Sequence, residues 1–127
     1  MPNYFLRIFV LSLIFACACL PATAQAQKGT IKIAVQAPLS GEQAALGEHI
    51  KLGAQLAVEE SSKAFDNLGF DLILVPYDDQ AKPEVGVANA RNLVADSNVL
   101  VMVGHFNSGV ALPASEVYKD AMLAMIS

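Results

Sequence analysis

Four short apolar runs, each separated from the next by a helix-length stretch, limit what this chain can fold into. The runs are residues 31–37, 70–75, 99–103 and 121–126. Tight hairpins need only a few residues between strands. Intervals of a dozen residues or more are crossover lengths, so the strands are expected to lie parallel. The intervals carry helical patterning. The first helix is expected to begin near Gly47, with Leu46, Ile50, Gly53, Ala54 and Ala57 on one stripe, and to fade around Ser61 and Ser62. The second is expected from about Pro83 to about Asp96, with Val87, Ala90 and Val94 inward. In the third, Val110, Ala114, Val117 and Ala121 share a face. It starts either at Ser108 or only at Leu112, with Pro113 in its first turn. Strand and helix alternate through the chain, which is the pattern of an α/β doubly wound parallel sheet. Right-handed crossovers would bring residues 38–47, 77–82 and 104–109 to one edge of it, facing a common crevice.

The stretch from Val99 to Ala114 is the most informative. Residues 99–103 are apolar without alternation, as in a strand covered on both faces. Gly104 closes the run, and His105, Phe106, Asn107, Ser108 and Gly109 lead into the third helix. A helix N-terminus offers unbonded N–H groups and the positive end of the helix dipole, so it attracts anions. With the Ser108 hydroxyl beside those donors, a small-anion site is expected here, most simply for a carboxylate. The plainer reading makes Ser108 an N-cap, and the two are compatible.

Other chemistry finds less support. His105 lacks metal-binding companions, since the other histidine, His49, falls on a different element. Asp78 and Asp79 read as turn and cap residues. The surroundings of Ser40 and Gly41 do not complete G-x-S-x-G, which weakens a hydrolase reading, and neither Walker A nor G-x-G-x-x-G occurs, so no nucleotide site, cofactor or metal is expected. The formal net charge is −4, with basic residues scattered singly, so nucleic acid is not an expected partner.

The N-terminus has the pattern of an export signal. Arg7 is followed by an apolar run over residues 8–20, then Pro21 and the small residues of Ala22-Thr23-Ala24, with Ala24-Gln25-Ala26 as a second cleavage candidate. The run would reach about 20 Å as a helix, short of a hydrocarbon core of about 30 Å. Residues 1–24 are therefore expected to be a cleaved signal peptide and 25–127 the mature chain, located in the periplasm. Cys17 and Cys19 both lie in the apolar run, so the mature chain has no cysteine. Lipid attachment at either is the rival, and Phe15 fits it poorly.

In combination and order, these segments resemble the periplasmic binding proteins for branched-chain amino acids of ABC transporters, the type I solute-binding fold. The resemblance runs from Ile31 to Ser127. It is carried by Pro38-Leu39-Ser40-Gly41 and Gly47; Tyr77-Asp78-Asp79; Pro83 with Ala88-Asn89-Ala90; Gly104-His105 with Ser108 and Pro113-Ala114-Ser115; and Met125-Ile126-Ser127. It implies the N-terminal lobe of a two-lobed receptor, incomplete because the chain stops at its fourth strand. It implies a non-enzymatic protein that binds an amino acid or related carboxylate, docks on permease subunits, and works as a monomer. Ser108, with Asn107, Gly109, His105 and the neighbouring amides, would hold the ligand carboxylate. Leu46 would lie near the ligand, and a second binding segment would begin at Ser127. Leucine/isoleucine/valine receptors often carry an aromatic residue where this chain has Leu46. Related receptors take amides, urea or aromatic acids. A sensor lobe not coupled to transport is the alternative, and a hydrolase-like enzyme the third reading.

Export is directly testable. N-terminal sequencing of exported material should begin at Gln25 or Gln27, and a membrane-bound product retaining Met1 would refute cleavage.

Overall fold

In the computed structural model, which describes residues 28–127, the apolar runs pair side by side. β1 (Gly29–Ala37), β2 (Phe70–Asp78), β3 (Val99–Gly104) and β4 (Ala124–Ile126) alternate with α1 (Ala44–Leu68), α2 (Pro83–Ala95) and α3 (Ser108–Asp120). The strands make one parallel sheet in the order β2-β1-β3-β4. The expected α/β doubly wound architecture is therefore present. The expected signal segment and both cysteines lie outside the described residues.

Strand alternation divides the side chains of the sheet between two layers. Ala34 and Met102 face α2 and α3, where they pack with Ala90, Leu93, Val99, Ala114 and Tyr118. Ile33, Leu72, Val101 and Val103 face α1. Between that face and α1 lies an open apolar groove of about 250 Å³, reaching Phe65 and Ile126. β1 is interior; α1 leads from it to β2 on one face, and α2 carries the chain from β2 back past it to β3 on the other. The point where the winding reverses is thus the gap between the carboxyl ends of β1 and β3, where folds of this class bind ligands.

Several boundaries differ from the sequence reading, each for a local reason. α1 begins at Ala44 and runs through the serine pair to Leu68. Ser62 Oγ donates to the Glu59 carbonyl at 2.8 Å, so its hydroxyl is satisfied within the helix. The true stop is Gly69, at φ 87°, whose N–H bonds back to Phe65 and Asp66. The inward stripe is turned by one residue, so Gly47 is buried while Leu46 is 46% exposed. β2 extends to Asp78 through Pro76, which an edge strand tolerates. β3 is not covered on both faces. A register shift opposite Lys32 and Ile33 leaves Leu100 60% exposed, and Val101 and Val103 line the groove half-buried. α3 starts at Ser108, not Leu112, and Asn107, not Ser108, is its N-cap. Its buried face is Val110, Ala114 and Tyr118, with Ala121 exposed. β4 is shorter than expected because residues 121–123 form the turn that closes α3.

Two glycines in α1 make opposite demands. A side chain at Gly47 would run into the Pro38 carbonyl, whereas one at Gly53 would meet nothing. Gly47→Ala should cost about 1–3 kcal/mol as an overpacked site. Gly53→Ala should add about 0.5–1 kcal/mol through helix propensity. Urea midpoints moving in the same direction for both would contradict this packing of α1.

Candidate functional site

The turns after β1, β2 and β3 meet at one edge of the sheet, as the topology requires, and polar side chains fasten them together. Asp78 Oδ1 accepts from the N–H of Leu39 at 2.8 Å and of Gln80 at 2.9 Å. Asn89 Nδ2 on α2 donates to the Asp78 carbonyl at 2.9 Å. Asp78 is thus a turn residue, as expected. Burial raises its pKa, but hydrogen bonds from the Ser40 hydroxyl and from the backbone N–H groups of Gln80, Leu39 and Ser40 outweigh this and hold the carboxyl below its ordinary value.

Asp79 does something the sequence did not disclose. It is 0% exposed. One carboxylate oxygen takes the Ala81 N–H at 2.9 Å, and the other stands 3.0 Å from His105 Nδ1. His105 Nε2 lies 3.4 Å from the Tyr118 hydroxyl, which donates to Gln36 Oε1 at 3.0 Å. Gln36 Nε2 completes the chain by donating to the Gly86 carbonyl at 3.0 Å. Burial, and then the charge of Asp79, push the Tyr118 phenol well above its usual pKa, so it stays a hydroxyl. The available signals were two: Gln36, a polar residue at an inward strand position, and Tyr118, one turn beyond Ala114 on the inner face.

The network decides what each expected site residue can do. The His105 ring points inward with its side chain 0% exposed, so a ligand would meet only its backbone. Gly104, at φ 123°, has no room for a side chain beside the Gln36 carbonyl, and the Gly104–His105 peptide bond is cis. Past this turn the chain opens to solvent: Phe106, Ser108 and Gly109 are exposed and Asn107 is half-buried. The Val110 and Ala111 N–H groups bond to the Asn107 carbonyl at 3.0 and 2.9 Å. The N–H groups of Ser108 and Gly109 precede that ladder and have no carbonyl to reach within the helix. The Asn107 Oδ1 atom is buried without a hydrogen-bond partner, as is Gln43 Oε1 at the N-cap of α1. Leu46 lies in the first turn of α1, which follows β1. Ser127 follows β4 and is exposed.

Chemically, this edge offers two N–H donors, one exposed hydroxyl and a helix dipole, which suit an oxyanion. Among the described residues, no group of three His, Cys, Asp or Glu side chains comes together to hold a metal. The His105–Asp79 pair has the Tyr118 hydroxyl as its third partner.

Comparison with known proteins agrees with this architecture. A family model described as periplasmic binding protein matches residues 30–127. The chain is similar to Leu/Ile/Val-binding protein homolog 2 of Brucella abortus, 42% identical over 97 residues, covering 76% of this chain and 26% of the relative. It also resembles the branched-chain amino acid transporter substrate binding protein LivJ of Streptococcus pneumoniae, solved in complex with isoleucine. The TM-score is 0.67 at 33% identity, over 76% of this chain and 28% of that one. An ABC transporter substrate-binding protein of Desulfitobacterium hafniense, in complex with Leu, gives a TM-score of 0.62 at 32% identity, over 76% and 28%. The chain thus spans about a quarter of the length of the curated relatives it matches.

The lowered pKa of Asp78 makes its contribution to stability present above the unfolded-state value and lost as pH falls through the folded one. Urea stability of the native chain minus that of Asp78→Asn should therefore be constant near neutrality and shrink below about pH 4. A difference that persists undiminished at about pH 2 would show that Asp78 is not held ionised by the turn.

Proposed function

The chain belongs to the periplasmic binding protein family, and from that membership we propose that it is a ligand-recognising lobe of an extracytoplasmic solute-binding protein. The ligand class is a branched-chain amino acid or a related small carboxylate. The partner of the complete protein is the permease of an ABC transporter, and the lobe acts as a monomer.

One observation carries this reading: the exposed N-terminus of α3, with Ser108 in its first turn, beside the point where the winding of the sheet reverses. Ser108 would donate its hydroxyl, and Ser108 and Gly109 their N–H groups, to the ligand carboxylate, with Asn107 beside them. His105 would contribute through its backbone only. Leu46 would flank the ligand from α1, and Ser127 would begin a second binding segment after β4. The names of the relatives support the ligand class, since one solved neighbour holds isoleucine and another Leu. The protein would bind its ligand and release it unchanged. Residues 1–24 would direct export and 25–127 form the lobe, the remainder of the receptor completing the cleft.

A hydrogen bond to a charged group contributes roughly 1.5–3 kcal/mol, so Ser108→Ala in the complete receptor should weaken isoleucine binding about ten- to hundred-fold. The amides remain, so binding should persist at reduced affinity. Calorimetry decides: unchanged affinity in Ser108→Ala would move the site away from α3.

A further inference from the structure

The proposed binding role leaves unused the buried carboxylate–imidazole pair at this edge. We infer that Asp79 and His105 are a positioning pair that clamps the turn between β3 and α3, fixing where the first-turn amides of α3 point. This inference rests on the function proposed above, because it assigns the pair to the same site.

The pair is placed to do this and little else. Both side chains are 0% exposed, so neither can touch a ligand in the crevice. His105 lies just ahead of the N-cap Asn107, so its ring is a peg driven inward directly beneath the site. The peg is held at Nδ1 by Asp79 at 3.0 Å, and its Nε2 lies against the Tyr118 oxygen at 3.4 Å. Tyr118 sits near the far end of α3, so the same network grips that helix at both ends. Asp79 in turn is fixed by the sheet, since its N–H donates to the Ala37 carbonyl at 3.1 Å. One residue therefore joins the ends of β1 and β2 to the turn after β3. Gly86 adds a close approach from α2: a side chain there would strike Val110 in the first turn of α3 and crowd Gln36.

An apolar plug of the same volume would often stabilise a fold as well as a buried polar pair does. What an apolar plug lacks is direction. A hydrogen bond fixes the rotation and height of its partner to within a few tenths of an ångström. Recognition of a carboxylate by backbone N–H groups requires that accuracy, because those groups have no rotamer with which to adjust.

The test uses the full chain with two readouts. The variant Asp79→Asn/His105→Leu removes the clamp without stranding a buried charge, and the introduced carboxamide keeps an acceptor for the Ala81 N–H. Amide hydrogen exchange of Val110 and Ala111 should then quicken about tenfold or more, while amides in β1 and β2 keep their native rates. Affinity for isoleucine, measured in the complete receptor, should fall about tenfold or more. His105→Asn, which retains an N–H donor close to Nδ1, should recover part of both. Should the double variant not fold, Asp79→Asn alone is expected to show the same local pattern, at least about threefold. Uniform acceleration across the sheet would make the pair a general stabiliser, and unchanged rates and affinity would make it a bystander. Either result overturns the inference. A native receptor that does not bind isoleucine refutes the proposed ligand class instead, and the exchange readout still decides the clamp.

Discussion

The chain of hydrogen bonds from Asp79 through His105 and Tyr118 to Gln36 is the interaction on which the rest of the carboxyl edge depends. A parallel sheet ends its strands together, and each strand must then hand its backbone to a turn. Here the turns are cross-braced from within. Asp79 belongs to the second turn and His105 to the third, while Gln36 is the next-to-last residue of the central strand. Tyr118 closes the circuit from the helix above. Every member is deeply buried, where an unpaired polar group would be costly, so the members support one another or fail together.

This brace explains why the exposed part of the edge can be so lightly built. Ser108 and Gly109 are exposed, and no side-chain cap reaches the amides of the first turn. Their position is inherited from the residues on either side, His105 below and Val110 behind. Donors left unbonded in this way are available to a guest, and the cost of keeping them aligned is borne where water cannot reach.

The fold was legible because it depends on quantities that a sequence displays: the length of each apolar run and the distance to the next. Sheet class, helix count and the shared edge followed from these. The turn that carries the candidate site was also legible, since Gly104, Ser108 and Gly109 mark a strand-to-helix turn by residue type. Its support was not. Asp78 and Asp79 are identical neighbours, yet one serves a half-exposed turn and the other is sealed inside, a difference set by which face of the chain each residue falls on. The partners of Asp79 and Tyr118 lie 26 and 82 residues away, and no local pattern announces them. The register of α1 was read one residue off because Leu46, an apolar residue, lies on its outer side while its neighbour Gly47 faces inward. The shift at Leu100 left no mark in an unbroken apolar run.

Pro76 has a meaning beyond the extra length it allows β2. It lies on the strand at the edge of the sheet, opposite Val35. A proline in an edge strand stands with its nitrogen facing outward, so the outer rim of β2 lacks a donor toward its carboxyl end. An unpaired rim is otherwise a template on which a second chain can add itself, strand to strand. The missing donor breaks that template close to the carboxyl edge. While the sheet is assembling, this is protection against joining a neighbouring chain in place of itself.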